Sequence, residues 1–240
     1  MKVYGHRGAA AVAPENTLAC FEIACKMGCH AVECDVHFTS DKKLVIMHTD
    51  YEVGKMWGKE VHLEATSLEE LKSLRLTTEH KSFENEIIPT LQELYELMKK
   101  YPEVDMNVEL KTQNEEFYDM VVKTTAQYRM NDRVIYSASD PHTLKWFGKY
   151  HPDIPFSLSP VTVEDTDYAR GFQYNCNCVV VQPYFKVVDA DYVKNAHAAH
   201  LQVTPWTVDD PEEVKRLISI GVDGIISNNP GMVLDIIKNN

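Results

Sequence analysis

Short apolar runs alternate with amphipathic segments along most of the chain. The runs predict nine strands, which are Lys2–Gly5, Ala31–Asp35, Leu44–His48, Asp105–Leu110, Val134–Ser137, Pro155–Leu158, Cys178–Gln182, Gln202–Trp206 and Gly224–Ser227. Stretches with helical spacing lie between most of them, among them Asn16–Met27, Asn114–Met130, Pro141–Tyr150, Pro211–Ile220 and Pro230–Lys238. This alternation is typical of a parallel sheet covered by helices.

The second and third strand candidates are too close in sequence to be parallel neighbours. Parallel neighbours need a crossover of roughly a dozen residues, and only a short segment with the polar turn Ser40–Lys43 follows Asp35. Leu44–His48 is therefore predicted to return as a hairpin that extends the second strand, with His48 at about the level of Asp35. Eight parallel strands remain. They predict an α/β fold, a (β/α)8 TIM barrel, with the long connection Tyr51–Tyr101 before its third strand.

Length, composition and charge fit one soluble domain that covers residues 1–240. Hydrophobic residues make up 44% of the chain and charged residues 25%, which is ordinary for a globular protein. The formal net charge of -12 argues against nucleic acid or an anionic membrane surface as a partner. No apolar run is long enough to span a bilayer, and we expect no signal peptide before the first strand. We therefore expect no membrane insertion and a cytoplasmic location.

The cysteines support the same location. The chain contains six cysteines, which are Cys20, Cys25, Cys29, Cys34, Cys176 and Cys178. Their spacing forms neither a Cys-x-x-Cys pair nor a zinc-binding pattern. Buried, reduced thiols are the expected state, as in cytoplasmic proteins.

Three acidic residues at the ends of adjacent barrel strands predict a metal site. Glu33 and Asp35 are two residues apart on a strand, so both side chains point to the same side, while Cys34 points away. Glu109 and Lys111 repeat this relation on the next barrel strand. Converging carboxylates repel one another unless a cation lies between them, and oxygen ligands favour Mg²⁺ or Ca²⁺ over zinc.

Two histidines and two cations accompany the acidic residues. His6 and Arg7 follow the first strand, His48 ends the hairpin, and Lys111 follows Glu109. Imidazoles suit proton transfer near neutral pH, and the cations suit an anionic substrate. Together with a divalent ion they predict cleavage of a phosphate ester, with His6 and His48 as general acid and base. We assign His6 as the base and His48 as the acid, and the sequence alone does not separate the two roles. Water and a substrate hydroxyl both remain possible nucleophiles.

The same residues belong to a longer series of motifs that resembles the glycerophosphodiester phosphodiesterases. The motifs are His6-Arg7-Gly8, Pro14-Glu15-Asn16-Thr17, Glu33-Cys34-Asp35-Val36, Thr39-Ser40-Asp41, His48, Ile88-Pro89-Thr90-Leu91, Asn107-Val108-Glu109-Leu110-Lys111, Trp206-Thr207-Val208 and Gly221-Val222-Asp223-Gly224-Ile225. They occur in the family's order and extend over nearly the whole chain.

The resemblance implies a role for each candidate residue. Glu33, Asp35 and Glu109 would bind the divalent metal, and His6 and His48 would be the acid–base pair. Arg7 and Lys111 would contact the phosphate of the substrate, and Trp206 would help to line the substrate pocket. The partner would be a small phosphodiester such as glycerophosphocholine, a deacylated phospholipid, hydrolysed to sn-glycerol 3-phosphate and an alcohol.

Three departures from the family pattern leave these residues intact. Thr49 follows His48, where an aspartate is usual, and Asp50 comes one position later. Ser137-Ala138-Ser139 replaces a Ser-Ser-Phe stretch, and Ser227-Asn228 replaces the closing Thr-Asp.

The same barrel site also occurs in other classes of protein. These are the phosphatidylinositol-specific phospholipases C and the sphingomyelinase-D-like toxins, which are one alternative. The others are a barrel that binds glycerophosphodiesters without cleaving them and a metal-dependent isomerase on the same fold. The acidic chain shows no basic or apolar insertion of the kind that lipases use at a membrane.

Overall fold

A largely parallel sheet forms the centre of the protein. The structure is a computed structural model that describes residues 1–77, 81–138, 140–159 and 175–239. Within these residues its strands are β1 (Lys2–Gly5), β2 (Ala31–Phe38), β3 (Leu44–Ile46), β4 (Asp105–Leu110), β5 (Val134–Ala138), β6 (Phe156–Leu158), β7 (Cys178–Val181), β8 (Gln202–Val203) and β9 (Gly224–Ser227). All but β3 are parallel to their neighbours, in the order β8-β7-β6-β5-β4-β2-β1-β9. Ser139 lies outside the described residues.

Backbone hydrogen bonds join the two ends of this strand order. The amide of Asp223 donates to the carbonyl of Val203 at 2.9 Å, and the amide of Ile226 donates to the carbonyl of Pro205 at 3.0 Å. The eight parallel strands therefore form a nearly closed barrel, and the predicted (β/α)8 fold is confirmed.

Helices cover the barrel and the segments between its strands. In the described ranges they are α1 (Leu18–Met27), α2 (Asp50–Trp57), α3 (Leu68–Ser73), α4 (Leu91–Met98), α5 (Glu115–Gln127), α6 (Pro141–Tyr150), α7 (Ala190–Ala198), α8 (Pro211–Ser219) and α9 (Pro230–Lys238). Helix α1 begins later than Asn16 because Thr17 is its N-cap and accepts a hydrogen bond from the amide of Cys20. Among the described helices, none combines the length and the apolar character needed to span a membrane.

The hairpin is present, with a register that differs by one residue from the predicted one. Strand β3 is antiparallel to β2, and Leu44 lies opposite Phe38. The amide of Met47, not that of His48, donates to the carbonyl of Asp35 at 3.1 Å. The difference arises because the loop 39–43 contains an odd number of residues, so that the turn is centred on Asp41 alone.

The long connection after the hairpin has a small apolar core of its own. Helices α2, α3 and α4 lie in this segment. The buried residues of the core are Val45, Met47, Val53, Trp57, Leu63, Leu71, Leu74, Leu76 and Ile88. Since Val45 and Met47 belong to the hairpin, this core fixes the connection to the part of the barrel where β2 ends.

Candidate active site

The three predicted metal ligands lie together, two in the middle of β2 and one near the end of β4. The parallel register places Asp35 beside Glu109, and Glu33 lies one alternation earlier on β2. One carboxylate oxygen from each residue lies within 4.8 Å of the others. Glu33 and Asp35 are buried and Glu109 is half-buried. The predicted cluster is therefore present.

Two cations partly balance these negative charges. Lys111 Nζ lies 2.6 Å from Glu109 Oε1 and 3.1 Å from Asp35 Oδ1. Arg7 Nε lies 3.3 Å from Asp35 Oδ2. Burial alone would raise the pKa of Asp35, but the charges of Lys111 and Arg7 outweigh it and hold that pKa below its usual range.

The pKa of Glu33 is shifted in the opposite direction to that of Asp35. Burial and the charges of Asp35 and Glu109 raise the pKa of its carboxyl well above the usual value, although Arg7 opposes the shift. One oxygen of Glu33 accepts a hydrogen bond from the backbone amide of Arg7 at 2.9 Å. The other, Oε1, is buried and has no hydrogen-bond partner among the described residues. A buried oxygen without a donor, beside two more carboxylates, fits a divalent cation.

The backbone turn after β1 places the Arg7 amide against Glu33. Arg7 and Gly8 both have positive φ, at 52° and 94°. A Cβ on Gly8 would come within 2.7 Å of the backbone carbon of Cys20, so glycine is required there. Arg7 also pairs with Glu15, its Nη1 lying 2.9 Å from Glu15 Oε1. The turn thus brings Arg7 to the metal ligands through both its backbone and its side chain.

A chain of hydrogen bonds fixes the ring of His6. Asn228 Nδ2 donates to Asp209 Oδ2 at 2.6 Å, so the amide oxygen of Asn228 faces His6 Nδ1, 2.8 Å away. Because an amide oxygen only accepts, His6 Nδ1 carries the proton and Nε2 is left without one in the neutral ring. His6 Nε2 lies 3.9 Å from Glu33 Oε2. Burial, together with the charge of Arg7, lowers the pKa of His6 to about 4.

His48 lies at the junction between the hairpin and α2. Its Nδ1 is 3.2 Å from Glu52 Oε1, and its carbonyl contacts His37 Nε2 at 3.0 Å. Asp50 does not contact it and instead accepts a hydrogen bond from the amide of Leu63 at 2.8 Å.

The candidate residues surround one cavity of about 320 Å³. Its lining includes His6, Arg7, Glu33, His48, Glu109, Lys111 and Trp206. Asp35 lies beneath them, almost fully buried. Trp206 is held in place because its Nε1 donates to the carbonyl of Gln182 at 2.6 Å. The structure therefore brings every predicted site residue to one place.

Sequence reasoning missed several residues that support this cavity. Asn16 Nδ2 donates to Asp35 Oδ2 at 2.9 Å. Glu15 and Asn228 each contact a candidate residue, and Glu52 contacts His48. The position of Glu15 and Asn16 within a motif was a signal for their role, whereas the contact of Asn228 depends on residues far apart in sequence.

Comparison with known proteins decides the family. Residues 6–232 match the Glycerophosphoryl diester phosphodiesterase family. The chain belongs to this family. The prediction of a glycerophosphodiester phosphodiesterase is thereby confirmed at the level of family and enzyme class.

Individual relatives agree with this assignment over nearly their full length. A glycerophosphodiester phosphodiesterase of Caldanaerobacter subterraneus subsp. tengcongensis is 29% identical, over 98% of this chain and 97% of the relative. A phosphodiesterase of Oleispira antarctica, solved in complex with the product sn-glycerol-3-phosphate, is 26% identical with a TM-score of 0.88, over 99% of this chain and 97% of that one. A glycerophosphodiester phosphodiesterase of Parabacteroides distasonis is 25% identical with a TM-score of 0.84, over 99% of this chain and 97% of that one.

Proposed function

We propose that this protein hydrolyses glycerophosphodiesters such as glycerophosphocholine to sn-glycerol 3-phosphate and an alcohol, in a reaction that depends on a divalent metal and two histidines. The observation that carries the proposal is one cavity lined by two histidines, two cations and two carboxylates of the acidic cluster, with the third carboxylate of the cluster, Asp35, buried beside them. Family membership and the product bound in the Oleispira antarctica relative support the substrate class.

Glu33, Asp35 and Glu109 would hold the metal, either Mg²⁺ or Ca²⁺. The all-oxygen donor set suits these ions, and the unpartnered Oε1 of Glu33 is a ligand atom in the right place. When bound, the ion would supply positive charge to the phosphoryl oxygens. Arg7 and Lys111 would add their own charges to the same oxygens, the kind of electrostatic stabilisation that often contributes most to catalysis.

His6 and His48 would transfer the two protons. With Nδ1 protonated, the neutral ring of His6 offers Nε2 to accept a proton from the attacking hydroxyl group. We therefore propose His6 as the base. His48 then has the other role: in its charged form, with a proton on each ring nitrogen, it would give the Nε2 proton to the leaving alcohol oxygen. The nucleophile is water or the 2-hydroxyl of the glycerol.

The organisation and environment of the enzyme are part of this proposal. We propose one catalytic domain over residues 1–240, supported by the family match over residues 6–232 and by the one barrel sheet. The net charge of -12 favours a small substrate that local cations recruit, and disfavours nucleic acid. Six buried cysteines without a disulfide support a reducing, cytoplasmic location.

Product analysis tests the proposed reaction. Purified protein with Mg²⁺ or Ca²⁺ is incubated with glycerophosphocholine, and sn-glycerol 3-phosphate, choline, phosphocholine and glycerol are measured. We expect glycerol 3-phosphate and choline in equal amounts. Phosphocholine and glycerol would mean cleavage of the other ester bond. Absence of every product across several head groups would contradict the proposal and favour a barrel that binds without cleaving.

Trp206 is proposed to line the glycerol side of the pocket, which gives a prediction on substrate binding. Trp206→Ala is expected to raise KM by roughly tenfold, equivalent to about 1.4 kcal/mol of lost binding, and to change kcat less. Steady-state kinetics on glycerophosphocholine provide the measurement. The control is Tyr150→Ala, a half-exposed aromatic on α6, for which no change is expected. Unchanged KM in Trp206→Ala would make Trp206 a packing residue only.

A further inference from the structure

The sequence at the start of helix α2 is of a kind that usually caps its own N-terminus with hydrogen bonds. Thr49 and Glu52 have the Thr-x-x-Glu spacing of a capping box, in which the two residues satisfy each other's backbone amides. Helix α4 shows the complete form of this motif. There Thr90 accepts a hydrogen bond from the Glu93 amide at 3.2 Å, and Glu93 accepts one from the Thr90 amide at 2.8 Å.

In α2 the glutamate at the corresponding position, Glu52, has a different partner. Thr49 makes no side-chain hydrogen bond to the helix amides, and its hydroxyl instead donates to Glu52 Oε2. The second oxygen, Oε1, lies 3.2 Å from His48 Nδ1. Glu52 is largely shielded from solvent, with 17% of its side chain exposed. The carboxylate that would cap the helix is thus directed to the histidine.

Asp50 does not compete with Glu52 for this histidine. Its Oδ1 accepts a hydrogen bond from the amide of Leu63 at 2.8 Å, and its Oδ2 lies 2.9 Å from His62 Nδ1. Asp50 therefore holds the connection after α2. Among the described residues, Glu52 is the carboxylate hydrogen-bonded to the His48 ring.

We propose that Glu52 is a positioning residue for His48, an inference that rests on the proposed function. A carboxylate oxygen only accepts hydrogen bonds, so the contact requires a proton on His48 Nδ1. The remaining ring nitrogen, Nε2, is then the one available in the catalytic cavity. Thr49 fixes Glu52 from one side, and His37 holds the backbone carbonyl of His48 at 3.0 Å from the other. Glu52 acts through His48 and needs no contact with substrate.

Replacement of Glu52 by glutamine tests this role while keeping the side-chain shape. Glu52→Gln is expected to lower kcat on glycerophosphocholine by about 10- to 100-fold, the usual cost of losing a partner that orients a functional histidine, with KM within about twofold. Glu93→Gln is the matched control, because it removes the glutamate at the same position of another helix start. It should lower Tm and leave kcat unchanged.

A double-mutant cycle separates positioning from a general effect on stability. If Glu52 acts only through His48, Glu52→Gln should cause no further loss of kcat in a His48→Ala background. Equal fold losses in both backgrounds would overturn the proposal. So would parental kcat in Glu52→Gln. An inactive parent protein would instead contradict the proposed function itself, so the two failures are distinguishable.

A measurement on the parent protein does not depend on how the variants fold. Nitrogen-15 NMR of the His48 ring, above the pH at which the ring is charged, reports which nitrogen carries the proton. We expect protonated Nδ1 and unprotonated Nε2. The reverse tautomer in the parent would overturn the proposal.

Discussion

Replacement of His6 or His48 by alanine is expected to lower kcat on glycerophosphocholine by roughly 10²- to 10⁴-fold. The reason is that each ring lines the same cavity and each has its Nδ1 held by a partner, Asn228 for His6 and Glu52 for His48. We therefore expect both rings to present Nε2 to the substrate. Steady-state kinetics of the two single variants and the double variant provide the measurement. The double variant should be little slower than the slower single variant, because residues that act as a unit are not additive.

The leaving group distinguishes the two histidines. Bis(p-nitrophenyl) phosphate releases an alcohol that needs no protonation, so it should restore much of the activity of the variant that lacks the acid. We expect this for His48→Ala and not for His6→Ala; the opposite pattern would exchange the two roles. His197→Ala is the control, since His197 pairs with Asp223, outside the catalytic cavity. Parental activity in both single variants would refute the two-histidine mechanism.

Glu109→Ala is expected to lower kcat by roughly 10²-fold or more, because metal stabilisation of the developing charge contributes several kcal/mol. Glu109 is the half-buried member of the acidic cluster, at the end of β4. Its loss leaves the barrel core unchanged, so Tm should change little. Isothermal titration with Mg²⁺ and Ca²⁺ should show weaker binding in the variant, in parallel with the lower kcat.

The opposite end of the same strand provides a matched control. Asp105 begins β4 and pairs with Lys2 at 2.9 Å, on the exposed surface. Asp105→Asn removes one negative charge from the same strand and should leave metal binding and kcat unchanged. If Glu109→Ala bound the metal with parental affinity, Glu109 would not be a ligand.

Side-chain alternation and loop length predicted most of the fold and the arrangement of the site. The period of two along a strand places Glu33 and Asp35 on one side of β2, and the parallel register sets Glu109 beside Asp35. The short separation between β2 and β3 allowed only a hairpin. These rules depend on the local chain, so the sequence was sufficient for them.

Details that depend on distant residues could not be predicted in this way. The hairpin register differed by one residue because the loop conformation, with Lys42 at φ 56°, decides where the turn is centred. The orientation of the Asn228 amide is set by Asp209, and the direction of Glu52 by its contact with His48. A capping-box pattern predicts where a helix begins, but tertiary contacts decide which group its glutamate meets.

The most direct test of the central claim is the release of sn-glycerol 3-phosphate from glycerophosphocholine before and after removal of divalent metal. The converging carboxylates, with the unpartnered oxygen of Glu33, lead us to expect that exhaustive chelation abolishes the reaction. Addition of Mg²⁺ or Ca²⁺ should then restore it. A full rate of release from the exhaustively chelated protein would contradict metal-dependent hydrolysis at this site.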